Sequence, residues 1–120
     1  MGAFFLLRLN DHVQYLNKIT ATLDGQGDFR GCDHHSCKLG KWLDTDGAKE
    51  ADEVGAEARA VFDSLFEPHE QFHSASSLAL SSHDAGDATT SKRAVTDLHR
   101  LSSLLVSRLL ELDRLAATRK

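Results

Sequence analysis

Apolar residues recur at helical spacing in three long stretches of the chain. In residues 4–24 they fall on one stripe, at intervals of three, four or seven: Phe5, Leu9, Leu16, Ile19 and Leu23. Residues 48–66 and 88–117 repeat the pattern, and Pro68 either kinks the second stretch or sits in the first turn of a new helix. The sequence therefore predicts an all-α fold, an antiparallel four-helix bundle with an additional short helix at residues 37–43.

Polar and glycine-containing segments separate these predicted helices. Residues 25–36 form a loop that is longer than the roughly two to eight residues common in helical bundles, and long loops are often functional. Residues 81–87 are predicted to form a turn. With 120 residues the chain is expected to be one domain, residues 1–120.

Histidines interrupt the apolar stripes at three positions. His12 takes the place that the first stripe leaves open, and His69 and His73 lie one helical turn apart on a core-facing side. A buried imidazole without a partner carries a desolvation penalty. Each is therefore either a core histidine with its own hydrogen bond or a metal ligand, and seven histidines in so short a chain favour the metal.

Most of the other candidate functional residues lie in segment 33–43, a short and mostly polar link between predicted helices. It holds the thiol of Cys37, the imidazoles of His34 and His35 and the only tryptophan, Trp42. Thiolate and neutral imidazole suit zinc, and four such groups close a tetrahedral site. His34 and His35 are rival ligands, since they are the histidines nearest to Cys37. Their position in a polar loop favours exposure to solvent, or a contact with a ligand side chain, over direct binding of the metal. Trp42 is expected to anchor packing beside the site, and Gly40 to allow close approach of backbone.

The order of these features resembles the chemoreceptor zinc-binding domain (CZB) family. The motifs that carry the resemblance are a histidine in the first helix, then Cys37-x-Leu39-Gly40-x-Trp42, then Pro68-His69 with His73. The resemblance covers roughly residues 8–115. It implies a small antiparallel helical bundle, commonly a homodimer, that binds one zinc ion (Zn2+) per protomer. The implied ligands are His12, Cys37, His69 and His73.

The resemblance also implies a function in sensing and not in catalysis. Such domains occur on bacterial cytoplasmic chemoreceptors and diguanylate cyclases. No output module lies within these 120 residues, so the signal is expected to pass to a linked domain or a partner protein. Zinc itself or oxidation of Cys37 would be the signal. Cys32 is either inert or a resolving thiol for an oxidised Cys37.

Charge and hydropathy exclude several other functions. The net charge is −4 and the pI is near 5.9, so the chain lacks the excess of basic residues that is typical of nucleic-acid-binding proteins. No apolar run reaches the roughly 18 residues that indicate membrane insertion. The N-terminal residues lack the basic start of a signal peptide, which favours the cytoplasm and reduced thiols.

The sequence also contains part of the motif of two other classes of metalloprotein. The segment His69-Glu70-Gln71-Phe72-His73 spells the HExxH motif of zinc metalloproteases, in which the glutamate is a general base. Such enzymes keep an open position for water, which Cys37 is expected to fill here. A hemerythrin-like di-iron bundle needs two Glu-x-x-His pairs, and Glu70-x-x-His73 is the only one present. Both alternatives are therefore disfavoured.

Overall fold

The computed structural model describes residues 3–118 of the chain, and the side chains of residues 5–118. This part of the chain contains helices and no strand, which confirms the predicted all-α class. The helices are α1 (Ala3–Leu23), α2 (Lys38–Asp44), α3 (Gly47–Val54), α4 (Ala56–Asp63), α5 (Phe66–Asp84) and α6 (Ala88–Thr118).

The long helices α1, α5 and α6 pack with the α3–α4 pair as a bundle, which confirms the predicted architecture. The helix α6 contacts α1, α3, α4 and α5, and the link between α5 and α6 is only residues 85–87, a length typical of antiparallel neighbours. Apolar stripes from every helix meet in one core. Its largest fully buried side chains include Ile19, Leu39, Phe62, Leu65, Phe72, Leu98, Leu105, Leu109 and Leu112.

The predicted helix at residues 48–66 is wrong as a single element, because Gly55 divides it into α3 and α4. Gly55 has φ +147° and ψ 178°, a conformation that only glycine adopts readily. Its amide still donates to the carbonyl of Ala51, and its carbonyl accepts from the amide of Arg59. The chain therefore changes direction at one residue while both helix ends keep a backbone hydrogen bond.

The helix α5 presents His69 and His73 to the interior. It begins at Phe66, so Pro68 lies in its first turn, where a missing amide hydrogen costs no helical hydrogen bond. The predicted turn at residues 81–87 is shorter than expected, because α5 continues to Asp84. The buried side of α5 includes both histidines together with Phe72, Ser76 and Leu80.

The short helix α2 begins directly after Cys37, whose sulfur accepts a hydrogen bond from the amide of Gly40 at 3.2 Å. Trp42 is buried and packs edge-to-face on Phe5 and Phe62, so the predicted packing role is confirmed. Gly40 also fits its predicted role. A Cβ atom at this position would lie 1.8 Å from the backbone carbonyl oxygen of His34.

Within residues 3–118, none of the helices combines the length and apolarity required to cross a bilayer.

Candidate metal centre

Three of the predicted ligands meet between α2 and α5. Cys37, His69 and His73 are all buried, and each offers one ligand atom within 4.8 Å of the other two. The sulfur of Cys37 lies 3.3 Å from Nε2 of His69, and the rings of His69 and His73 are 4.7 Å apart at 81°. One helical turn between the two histidines produces this convergence, as their spacing predicts.

The ring of His73 is oriented by the loop that precedes α2. Its Nδ1 donates a hydrogen bond to the backbone carbonyl of Cys32 at 2.9 Å. The hydroxyl of Tyr15 lies 3.2 Å from the same nitrogen, accepts from the amide of Cys32 at 3.0 Å and reaches its carbonyl at 3.2 Å. Because a carbonyl only accepts, Nδ1 carries the proton and Nε2 keeps a lone pair for a metal.

The fourth predicted ligand, His12, is buried on α1 but lies outside this group of three. Its Nε2 shares a hydrogen bond of 2.8 Å with the hydroxyl of Ser102 on α6, and its ring packs edge-to-face on Phe72 at 4.7 Å. The hydrogen bond satisfies one ring nitrogen and leaves Nδ1 for another partner. His12 thus has the polar contact expected of a core histidine, and metal binding through it stays a prediction.

Burial keeps these imidazoles neutral. Desolvation, with a smaller contribution from His73, lowers the pKa of His12 to about 4 and that of His69 to about 3. Burial also lowers the pKa of His73, although its hydrogen bond to Cys32 opposes the shift. Burial raises the pKa of the Cys37 thiol, which the amide of Gly40 partly offsets. A neutral imidazole is ready to bind a metal, whereas the thiol requires a cation to become a thiolate.

All four predicted ligands line one cavity of about 330 Å³ between α1, α2 and α5. The donor set at this cavity is one sulfur and several neutral imidazole nitrogens, with no buried carboxylate among its closest members. This set fits zinc better than it fits magnesium, calcium or a di-iron centre, all of which prefer oxygen ligands.

The other histidines and the second cysteine have different surroundings. His35 is exposed and its Nδ1 lies 2.7 Å from the carboxylate of Asp44, so it pairs away from the cluster. His34 is half-buried, with its ring 6.2 Å from that of His69 and 6.4 Å from that of His73. Cys32 is an exposed free thiol. His83 and His99 are also exposed.

Two residues that orient the histidines were not singled out from the sequence. Tyr15 follows His12 by three positions and therefore lies on the same side of α1, which is the one local signal for its role. Ser102 is a polar residue on the buried stripe of α6, between Leu98 and Leu105. A serine on such a stripe indicates a buried hydrogen bond but does not name its partner, which lies 90 residues away.

A helical bundle that gathers a buried thiol and buried imidazoles around one cavity has the donor set of a metal-binding domain. The chain belongs to the chemoreceptor zinc-binding domain family, because residues 12–80, more than half of its length, match that family. The match includes all four predicted ligand positions, and zinc is the metal of the family. No curated protein and no solved structure matches the chain.

Proposed function

We propose that this protein is a cytoplasmic zinc-binding sensory domain of bacterial signalling, of the chemotaxis or cyclic-di-GMP type. The observation that carries the proposal is the convergence of Cys37, His69 and His73 within 4.8 Å of one another. Membership of a family of zinc-binding domains from chemoreceptor-type signalling supports it. The output would come from a chemoreceptor or diguanylate cyclase domain, linked to this chain or acting as its partner.

The proposed zinc ligands are His12, Cys37, His69 and His73. The proximity of Cys37, His69 and His73 supports this set, and His12 lines the same cavity from α1. Zinc would supply a positive charge that holds Cys37 as a thiolate and joins α1, α2 and α5 at one point. Because the ligands come from three helices, zinc affinity would contribute directly to folding stability.

Cys37 is the proposed labile ligand. It lies at the start of α2, a helix of only seven residues, whereas His69 and His73 belong to α5, which has 19. Departure of the sulfur therefore requires the smaller rearrangement. Loss of zinc, or oxidation of the thiolate to sulfenic acid by an oxidant such as hypochlorous acid, would free α2, and a partner would detect the changed packing.

The proposed site binds zinc and does not catalyse a reaction. A site closed by four protein ligands leaves no position for a reactive water. Glu70, the general base of an HExxH enzyme, is exposed on α5. The substitution Glu70→Gln should therefore leave zinc binding and oxidant response nearly unchanged, whereas a metallohydrolase would lose its activity.

The protein is also expected to form a symmetric homodimer. Half of the apolar residues between positions 101 and 115 are buried in the chain's own core, whereas Leu110 is 49% exposed. Val106 and Leu110 of α6 line an open groove with Val13 and Leu16 of α1. Light scattering at tens of micromolar should give twice the chain mass of 13.2 kDa. A monomer mass would overturn this part of the proposal.

Metal analysis of the purified protein tests the central claim. The wild type is expected to contain about one zinc per chain, and removal of zinc with a strong chelator should lower its melting temperature. Cys37→Ser should weaken zinc retention while the helices stay formed. Full occupancy at unchanged affinity in a variant that lacks both His69 and His73 would refute the site.

A titration with hypochlorite tests the proposed signal. Released zinc, followed with a chromogenic chelator, should depend on Cys37, and Cys32→Ser should still release zinc but recover less readily on mild reduction. Zinc release at an unchanged rate in a protein without Cys37 would contradict the oxidation step without affecting the metal site itself.

A further inference from the structure

A third histidine ring stands beside His69 and His73 without being one of the proposed ligands. His34 lies in the loop between α1 and α2, half-buried, with ring centroids 6.2 Å from His69 and 6.4 Å from His73. Its neighbour His35 has the same chemistry but pairs with Asp44 at 2.7 Å and is exposed. The two adjacent imidazoles therefore have different surroundings. The ring of His34 lies beside the rings of His69 and His73, although His34 does not line the cavity that the four proposed ligands share.

The distances from the ring of His34 to the rings of His69 and His73 are close to the distance between two imidazoles that bind the same metal ion. Two imidazoles bound to one tetrahedral zinc, with Zn–N distances near 2.0–2.1 Å, have ring centroids roughly 5 Å apart. His69 and His73 are 4.7 Å apart and already satisfy this distance. The ring of His34 is too far from each by only about 1 Å, a displacement that rotation of its side chain can supply.

The backbone of His34 is fixed while its side chain is not. The carbonyl oxygen of His34 packs against Gly40, at a distance that leaves no room for a Cβ atom there. The thiol of Cys37 is directed at the same carbonyl, with 3.9 Å between sulfur and oxygen. Among the described residues the ring of His34 makes no hydrogen bond, and its nearest ring neighbour is His35 at 4.1 Å.

We propose that His34 is a reserve ligand, which binds the metal with His69 and His73 when the sulfur of Cys37 does not. This inference rests on the proposed zinc site and extends it. In the exchange, the Cys37 sulfur would leave the metal and take a proton from solvent, and its S–H would be directed toward the His34 carbonyl. A ring nitrogen of His34 would take its place among the ligands. The number of ligands is conserved, and the site becomes one unit more positive.

A reserve ligand changes what the domain does when Cys37 leaves. A site that lost one of four ligands would hold its zinc less tightly, whereas a site that replaces that ligand would retain more of its affinity, in a second arrangement. The two arrangements differ in where the His34 loop and α2 lie, because both donors belong to the same short segment. The domain would then have a zinc-bound state with altered packing as well as a zinc-free state.

The test compares variants in a background without the thiol. Cys37→Ala, Cys37→Ala with His34→Ala, and Cys37→Ala with His35→Ala are titrated with zinc chloride against a chromogenic chelator, beside the wild type. Removal of His34 is expected to weaken zinc binding by about tenfold or more, whereas removal of His35, the matched control, should have no effect. Equal affinities in all three variants, or equal losses with His34 and His35, would overturn the proposal.

Cobalt provides a readout that does not depend on affinity. Co²⁺ in a four-coordinate site absorbs strongly in the visible region, and its thiolate bond adds a near-ultraviolet charge-transfer band. Cys37→Ala should lose only the charge-transfer band, and the further change His34→Gln should also weaken the visible bands. Visible bands of unchanged intensity in that double variant would contradict the reserve ligand. Failure of the wild type to bind zinc or cobalt would instead refute the proposed function.

Discussion

At the scale of single residues, the site depends on which nitrogen of each histidine is already occupied. His73 donates through Nδ1 to the carbonyl of Cys32, and His12 uses Nε2 for Ser102. These hydrogen bonds orient the rings before any metal binds, so the metal meets lone pairs whose directions are set. The same burial that makes the imidazoles neutral also excludes water, which strengthens the bond to a cation.

Gly40→Ala tests the close approach between α2 and the preceding loop. The new Cβ atom would lie 1.8 Å from the carbonyl oxygen of His34, so the loop or α2 must move. We expect the free energy of unfolding to fall by about 1–3 kcal/mol, and zinc affinity to fall because Cys37 is three residues away. Urea denaturation of the zinc-bound and chelator-treated proteins measures both effects.

Gly27→Ala is the matched control for that change, since a Cβ atom there meets its nearest neighbour at an ordinary 3.5 Å. Its effect on stability should be within about 0.5 kcal/mol. Equal losses at positions 27 and 40 would show that the contact with His34 has no special cost.

At the scale of elements, the hydrogen bond of Ser102 joins α6 to His12, the predicted ligand on α1. Ser102→Ala leaves Nε2 of the buried His12 without its partner, at a cost of about 1–3 kcal/mol in the free energy of unfolding. If His12 is a ligand, its ring also loses its orientation, and zinc affinity should fall by roughly tenfold. Thermal melts and chelator competition measure the two effects.

The change Ser91→Ala provides a comparison on the same helix. Ser91 is also buried and donates to the carbonyl of Ala79, but it does not contact a predicted ligand. The substitution Ser91→Ala should lower the free energy of unfolding without any change in zinc affinity. An unchanged affinity for Ser102→Ala as well would indicate that His12 is a core histidine and not a ligand.

Gly55→Ala distinguishes two descriptions of residues 48–63 by the sign of its effect. In one uninterrupted helix, replacing glycine by alanine would stabilise the protein by roughly 0.5–1 kcal/mol. With φ +147° the same change should destabilise it by about 1–3 kcal/mol, although no atom lies within 4 Å of the new methyl group. The midpoint of urea denaturation gives the sign directly.

The elements that sequence predicted well are those with long, regular apolar stripes. The expected helix at residues 4–24 differs from α1 by one residue at each end, and the expected helix at residues 88–117 differs from α6 by one residue at its C-terminal end only. The break at Gly55 was missed because a single glycine is tolerated within a helix, so its presence does not specify a positive φ. The end of α5 was missed because serine and aspartate favour turns locally, while packing of Leu80 and Ser82 keeps the helix intact.

The candidate site was predictable as far as local spacing could define it. His69 and His73 converge because they are one turn apart, and Cys37 joins them because α2 begins there. The hydrogen bond between His12 and Ser102, and that between His73 and Cys32, connect residues 90 and 41 positions apart. Contacts at such separations are set by how the helices pack, which a periodic pattern in one helix does not encode.

At the scale of the whole molecule, the fold is elongated, with dimensions of 53 × 21 × 20 Å. The 31 residues of α6 span roughly 46 Å, nearly the full length, and this helix contacts four of the others. Ser102 lies close to the middle of α6. If His12 is a ligand, a rearrangement at the metal centre would therefore act directly on a helix that runs nearly the full length of the bundle.

The metal-free protein should lose stability as the pH falls. The pKa of His12 is about 4 and that of His69 about 3 in the folded chain, against an ordinary value of 6.5, so the unfolded chain binds more protons between these values. The resulting stabilisation is complete above about pH 6.5 and is lost as the pH falls toward 4. For His12 alone the loss is on the order of 3 kcal/mol.

Urea denaturation of chelator-treated protein at several pH values between 4 and 8 checks this dependence. The variant His12→Gln should show a shallower slope, since one of the titrating groups is removed. A free energy of unfolding that stays constant from pH 7 to pH 4.5 would contradict the assignment of neutral, desolvated histidines.

The contact between Gly40 and the His34 carbonyl also determines which sequences the loop tolerates. The atom that fills the space beside Gly40 belongs to the backbone, so every residue type at position 34 places an oxygen there. Glycine at position 40 is then favoured whatever stands at position 34, and no substitution at 34 can remove the cost of its loss. In a library randomised at both positions, folded members should be nearly uniform at 40 and diverse at 34, without correlation between the two.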